Sequence, residues 1–309
     1  MSLLLVAGDR KLESWKKALQ QTDPDLDVEI WPDVKNRDRV QFMVSWNHPK
    51  GMLNRFPNLK AVSSLGAGVD HILRDPDLPD DLWVCRVVTP SLIRQMKEYV
   101  LHAVLSYQRN FTVYARQKQM NRWSVHENRP HDSLKIGVMG LGEFGRPVAE
   151  CLSDNGYQVA GWSRSVKSLE GISHFAGEND FDEFLKSTNL LICMLPLTKE
   201  TAGILNLELM KKLIRPAYLI NVARGEHLVD EDLIYALDKG WLSGAWLDVF
   251  NEEPLPENHP FWNRPNIMIT PHVASVTRPA EAAEQIVENY KRVISGIPPL
   301  NRVDREKGY

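Results

Sequence analysis

Three stretches in the second half of the chain each set a reactive side chain just past an apolar run. NVARGE (221–226) carries Arg224, DVFNEEPLP (248–256) carries the adjacent acids Glu252 and Glu253, and TPHVAS (270–275) carries His272. Taken singly, an arginine after a strand is most often a surface charge, and a histidine most often structural. Together they suit a small anionic substrate whose carbonyl is reduced. The planar fork of Arg224 would hold a carboxylate and polarise the carbonyl. His272 would give its proton to the carbonyl oxygen as hydride arrives. An acid would hydrogen-bond the far nitrogen of the imidazole and favour its charged form. Glu252 and Glu253 both qualify, and the pattern does not choose between them.

A hydride needs a carrier, and GLGEFG (140–145) has the G-x-G-x-x-G form of a dinucleotide-binding turn. An apolar strand, KIGVMG, leads into it and an amphipathic segment follows, the context such a turn requires. Gly140 would allow the tight turn, Gly142 the approach of a pyrophosphate, and Gly145 close packing of helix on strand. The helix N-terminus would offer free N–H groups and positive dipole to the phosphates. Roughly twenty residues on, where such folds usually place an acid for the ribose hydroxyls, the chain reads VAGWSRS (159–165). Ser163 is uncharged and able to donate to a phosphate oxygen. Arg164 adds a permanent charge in a fork that suits phosphate, and Ser165 and Lys167 add a hydroxyl and another charge. A carboxylate there would repel a 2′-phosphate; this set attracts one. The expected cofactor is therefore NADPH, with NADH possible. The competing view is a solvated loop with incidental basic residues. A second glycine pair, in SLGAGVDHI (64–72), would expose N–H groups around Ala67 as an anion nest aimed at the interdomain cleft, or else simply end a strand.

The elements that position these residues alternate. VAGW, LLICMLP, AYLINVA, AWLDVF and NIMIT read as further strands, with FDEFLKST, ELMKKL and DEDLIYALDKG as helices between them. Continuous apolar strands alternating with helices mean a parallel sheet covered on both faces. LLLVAG, ESWKKALQQ, VEIW, VQFMVSW, AVSSLGAG and VCRVV read as a second, smaller α/β unit. A helical stretch at 91–111 separates the two. The helix at 278–296 is placed back on the first unit, so the chain would cross between domains twice. The expected fold is α/β, with two Rossmann-like or flavodoxin-like parallel-sheet domains. Residues 1–96 and 274–309 would form the substrate domain, with a cofactor domain at 97–273 inserted into it.

Composition narrows the class. The 309 residues suit two domains, and 43% hydrophobic against 25% charged is a globular mix. Lys plus Arg number 37 and Asp plus Glu 40, a net charge of −3, too balanced for nucleic-acid binding through bulk charge. Cys85, Cys151 and Cys193 are scattered, which suits a reducing cytoplasm and excludes CxxC chemistry. The nine histidines show no HExxH or other ligand pairing, so no metal is expected. The opening MSLLLVAGDR reads as a buried first strand rather than a signal peptide, and no run approaches the roughly 18 apolar residues of a membrane span.

The ordered set LGAGVD, QMKEYV, GLGEFG, LPLTKETAGILN, NVARGE, LDVFNEEPLP and TPHVAS resembles the D-isomer-specific 2-hydroxyacid dehydrogenases. SLGAGVDHI, GWSRSVKS, TPHVASVTRPAEA and VDREKGY are similar to the glyoxylate/hydroxypyruvate reductase A branch of that family. The resemblance covers most of the chain. It implies the interrupted architecture and makes Arg224, Glu253 and His272 the catalytic trio, which selects Glu253, immediately before Pro254. It implies that Asp248 faces the nicotinamide carboxamide, and that Leu141, Glu143 and Phe144 of the glycine turn, Leu195–Pro196, and Val222–Ala223 line the cofactor. Gly66, Ala67 and Gly68 would present N–H groups to the substrate carboxylate, with Trp46 of MVSWNHP beside the substrate. Trp46 as a plain buried anchor is the simpler alternative. The family's frequent Val-Ala-Glu is Met96-Lys97-Glu98 here, a branch variation that touches no catalytic position.

The implied activity is NADPH-dependent reduction of glyoxylate to glycolate and of hydroxypyruvate to D-glycerate, by a cytoplasmic homodimer without membrane or nucleic-acid partners. The alternatives are a dinucleotide-sensing, corepressor-like regulator on the same fold, a reductase for another 2-oxo acid, or an oxidase of formate or phosphite. Fold alone does not decide among them.

Overall fold

The structure, a computed structural model, describes residues 1–8, 11–167 and 169–308. The chain divides into two compact units, Met1–Leu92 with Val276–Tyr309, and Ile93–Ser275. Two motif ends, Ser168 of GWSRSVKS and Tyr309 of VDREKGY, lie outside the described residues.

The first unit holds β1 (Ser2–Ala7), α1 (Glu13–Thr22), β2 (Val28–Ile30), β3 (Val40–Trp46), β4 (Ala61–Ser64), the single-turn α2 (Asp70–Leu73) and β5 (Trp83–Cys85). The strands form one parallel sheet in the order β2-β1-β3-β4-β5. Every residue of β1 is buried, as its unbroken apolar run requires of a strand covered on both faces. Helix Pro279–Ile294 packs on α1 and β3. Tyr290 meets Phe42 edge-on at 6.3 Å, and Lys291 pairs with Asp23 at 2.9 Å.

α3 (Pro90–Gln108) carries the chain into the second unit, and α4 (Phe111–Gln119) follows. The single helical stretch expected over 91–111 is therefore broken. Asn110 stands at φ +59°, in the left-handed region that asparagine tolerates, and its amide donates to the Glu127 carbonyl at 2.8 Å.

The second unit continues with β6 (Lys135–Met139), α5 (Gly145–Asp154), β7 (Gln158–Ser163), β8 (Ile172–Ala176), α6 (Phe181–Lys186), β9 (Leu190–Cys193), α7 (Leu207–Lys212), β10 (Ala217–Asn221), α8 (Asp230–Asp238), β11 (Leu242–Leu247) and β12 (Ile267–Ile269). Seven parallel strands run β12-β11-β10-β9-β6-β7-β8. Successive strand residues feed opposite cores: Leu191 and Leu219 pack with Phe184, and Ile192 and Ile220 with Val138 and Val148. β8 was not read from the sequence. It is an edge strand, and Ser173 and His174 interrupt its apolar pattern. The strand order reverses between β6 and β9, the point outside which ligands of open α/β sheets bind. The two α/β parallel-sheet domains are those expected. Among the described residues no helix is long and apolar enough to cross a membrane.

Candidate active site

Arg224, Glu253 and His272 follow the carboxyl ends of β10, β11 and β12, three adjacent strands of one sheet. Gly225 lets the first two loops meet. A Cβ at Gly225 would lie 1.8 Å from the Phe250 carbonyl carbon, so only glycine allows the NVARG and DVFNEE backbones to touch. The buried Asn221 braces the first loop, donating to the Arg224 carbonyl at 2.9 Å and accepting from the Ala223 N–H at 3.2 Å. An Arg224 Nη1 donates to the Ala223 carbonyl at 2.7 Å. His227, fully buried, donates from Nε2 to the Pro196 carbonyl and accepts the Arg224 N–H on Nδ1 at 3.2 Å. Burial pushes its pKa down, which keeps the ring neutral and suited to that acceptor role.

His272 Nδ1 lies 2.7 Å from Glu253 Oε2, while Glu253 Oε1 accepts the Phe250 N–H at 3.0 Å. The acid that reaches the ring is Glu253, not Glu252. Burial pushes the Glu253 carboxyl up. The His272 hydrogen bond, the Phe250 N–H and the charges of His272 and Arg224 outweigh it and hold Glu253 below its ordinary range. His272 itself sits at φ +54°, a strained position for a side-chain-bearing residue, costing on the order of 1 kcal/mol.

What holds that strain is Asp248. Its carboxylate accepts from Thr270 Oγ1 at 2.6 Å, from the Val273 N–H at 2.9 Å and from the Ala274 N–H at 2.8 Å. A donor chain feeds the same point. Trp246 Nε1 donates to the Tyr99 hydroxyl at 2.7 Å, and Tyr99 meets Thr270 Oγ1 in a short hydrogen bond. Burial raises Asp248, and burial together with the Asp248 charge raises Tyr99, so the phenol stays protonated as the chain requires. The family resemblance sets Asp248 facing the nicotinamide carboxamide, and its carboxylate also braces the loop that carries His272.

The cofactor turn follows β6. Gly140 stands at φ +98° with its would-be Cβ 2.8 Å from the Met194 carbonyl oxygen, so two constraints demand glycine. A Cβ at Gly145 would lie 1.7 Å from the Gly140 oxygen. At Gly142 a Cβ would meet nothing within 4 Å. Among the described residues no packing calls for glycine at 142, and the open backbone beside the start of α5 fits a pyrophosphate. Leu141 is buried, Glu143 is exposed and Phe144 is half-buried. Leu195, Val222 and Ala223 are buried in the sheet's cores, and the half-buried Pro196 gives its carbonyl to Thr201 Oγ1 at 2.7 Å as well as to His227. At the end of β7, Arg164 and Ser165 are exposed. Ser163 is buried, and its hydroxyl donates to the Ser165 carbonyl at 2.8 Å. Its proton is thus spent inside the loop rather than offered to a phosphate oxygen.

The first unit carries Trp46 and the Gly66–Ala67–Gly68 turn. Trp46 packs on His71 at 4.6 Å between ring centroids, and its Cζ3 would touch a Cβ at Gly66 at 3.4 Å. A buried network anchors this corner. Ser45 Oγ lies 2.9 Å from His48 Nδ1, and His48 Nε2 lies 3.2 Å from Asp75 Oδ2. The arrangement has the residue types of a nucleophilic triad, but all three are buried and it serves as scaffold. The Gly66 N–H is given to Ser64 Oγ at 3.1 Å.

A sequence model of the D-isomer specific 2-hydroxyacid dehydrogenase NAD binding domain matches residues 101–274. The chain belongs to the D-isomer-specific 2-hydroxyacid dehydrogenase family. The family is one of oxidoreductases, and relatives match this chain across most of its length. It is 40% identical over 304 residues to the glyoxylate/hydroxypyruvate reductase A of Yersinia enterocolitica, covering 96% of each chain. It is 42% identical over 300 residues to the protein of that name from Klebsiella pneumoniae strain 342, again covering 96% of each. Among solved structures, a D-isomer specific 2-hydroxyacid dehydrogenase from Xanthobacter autotrophicus Py2, in complex with NADPH and MES, superposes with a TM-score of 0.94 at 40% identity, covering 100% of this chain and 99% of that one. An NADPH-dependent glyoxylate/hydroxypyruvate reductase from Sinorhizobium meliloti, in complex with NADP and sulfate, gives 0.93 at 34% identity, covering 100% of both.

Proposed function

We propose that this chain reduces a small 2-oxo acid, glyoxylate or hydroxypyruvate, to the 2-hydroxy acid with NADPH. The observation that carries the proposal is the 2.7 Å contact between His272 Nδ1 and Glu253, on a loop adjacent to the one that bears Arg224. Relatives named glyoxylate/hydroxypyruvate reductase A, and family structures that hold NADPH or NADP, support it.

When bound, the reduced nicotinamide supplies the hydride. Arg224 holds the substrate carboxylate and polarises the 2-oxo group. Glu253 occupies Nδ1, so the proton that goes to the carbonyl oxygen leaves from His272 Nε2. The Glu253 charge stabilises the imidazolium before transfer, and the left-handed backbone at His272 fixes the ring's direction. The unit formed by Met1–Leu92 and Val276–Tyr309 is assigned to the substrate. The family resemblance assigns Trp46, Ala67 and Gly68 of that unit to the substrate, and the Gly66 N–H is already given to Ser64 Oγ. Arg164 and Ser165 take the 2′-phosphate, and Ser163 contributes by carrying no charge.

The assembly is proposed to be a homodimer. Trp123 is 97% exposed and Val125 85%, with Phe111 and Met120 more than half exposed in the same stretch, an apolar surface that a partner copy would cover. Three free cysteines suit a reducing compartment. Initial rates with glyoxylate, hydroxypyruvate and pyruvate, each with NADPH and NADH, test the proposal. Turnover of the first two with NADPH supports it, and cofactor binding without turnover on any 2-oxo acid contradicts it.

A further inference from the structure

The loop after β7 closes around one side chain that the mechanism does not use. Ser163 gives its hydroxyl proton to the Ser165 carbonyl at 2.8 Å. His174 Nε2 lies 3.0 Å from the same Ser163 oxygen. A hydroxyl has a single proton, so at this contact the imidazole is the donor and Ser163 the acceptor. In a neutral ring Nδ1 is then an acceptor, and the Lys167 N–H points at it from 3.4 Å. One tautomer satisfies all three contacts.

This ring therefore ties the end of β7 to the far side of the loop, with Arg164 between the two ties. Lys167 extends the chain of contacts, since its ammonium hydrogen-bonds the Leu141 carbonyl inside the glycine turn. His174 is itself held on β8, where it pairs with Gly161 of β7 and is flanked by the Ala160↔Ser173 and Trp162↔Phe175 pairs. Asp180, which accepts the Ala176 N–H at 3.0 Å, closes the turn beyond β8.

We infer that His174 is a positioning residue for cofactor specificity, fixing the loop that carries Arg164 so that the guanidinium is already placed for a ribose 2′-phosphate. The inference rests on the NADPH reading above and names the residue that makes the phosphate site rigid. The physical reason is preorganisation: a loop ordered before binding loses less entropy when the ligand arrives. The neutral ring the network needs is favoured locally. Burial and the Lys167 charge both push the His174 pKa down, against the weaker pull of Asp180.

The test uses two ligands that differ in the 2′-phosphate, 2′,5′-ADP and 5′-AMP, titrated calorimetrically into the full chain. His174→Phe keeps a flat ring and removes both hydrogen bonds. His174→Gln offers an amide donor and acceptor at a similar separation. The expected result is that wild type binds 2′,5′-ADP more tightly than 5′-AMP. His174→Phe should weaken 2′,5′-ADP by about tenfold, one ordered contact's worth, and leave 5′-AMP unchanged, while His174→Gln recovers most of the loss. Should His174→Phe fail to fold, His174→Asn, which cannot span both positions, gives the same comparison. Undiminished discrimination in the variant overturns the role of His174 and leaves the NADPH reading standing. Equal weakening of both ligands also overturns it, because that is what a purely structural role would give. A wild-type protein that does not discriminate removes the NADPH reading, and this inference with it.

Discussion

Asp248 accepts the backbone N–H of His272 on its own carbonyl at 2.8 Å while its carboxylate takes the next two N–H groups, of Val273 and Ala274. The acid thus grips the loop on both sides of the proposed proton donor and keeps His272 in its left-handed conformation. Asp248→Asn replaces one acceptor oxygen by an amide that faces donors. We expect kcat for glyoxylate reduction to fall on the order of 10- to 100-fold, the scale of a small misplacement of a reacting group. Unchanged kcat in Asp248→Asn, with the fold intact by circular dichroism, would refute the bracing role.

Arg224 is proposed to act through a planar fork. Arg224→Lys keeps the charge and loses the bidentate geometry, so it should not restore activity. Steady-state kcat/KM for glyoxylate is the measurement, and a near-native value in the lysine variant would contradict the assignment.

The Glu253–His272 pair has a defined pH signature. Glu253 is lowered in the fold, so the stability it contributes is present above the ordinary carboxylate range and lost as pH falls through its lowered value. In Glu253→Gln this acid-side loss should shrink. Superimposable curves of stability against pH for wild type and Glu253→Gln, followed by circular dichroism, would contradict the pairing.

The cofactor reading predicts a preference for NADPH that Ser163→Asp with Arg164→Ala reverses, because repulsion is added as attraction is removed. The readout is kcat/KM for both cofactors at saturating glyoxylate. A wild-type enzyme that uses NADH as well as NADPH would sink the phosphate-site reading of WSRS.

Much of the candidate site was legible because parallel strands deliver their carboxyl ends to one edge. Arg224, the Glu252–Glu253 pair and His272 each follow an apolar run, so their convergence could be read without coordinates. The choice of Glu253 was not in that pattern, since neighbouring residues on a loop differ only in where their side chains point. The contacts that join Trp246 to Tyr99 and Tyr99 to Thr270 span 147 and 171 positions of sequence, which no local pattern encodes. His174 and His227 escaped for a related reason. A lone histidine carries no signal until its partners are known, and the partners here are backbone groups and, for His174, the Ser163 hydroxyl. The edge strand β8 was missed because solvent on one side relaxes the apolar pattern that marked its neighbours.

We propose that His272 gives its proton to the carbonyl oxygen. The most direct measurement is the turnover of His272→Asn on glyoxylate, alongside NADPH binding followed by nucleotide fluorescence. We expect kcat to fall on the order of 10²- to 10⁴-fold with NADPH affinity retained. Turnover near the wild-type rate in that variant would contradict it.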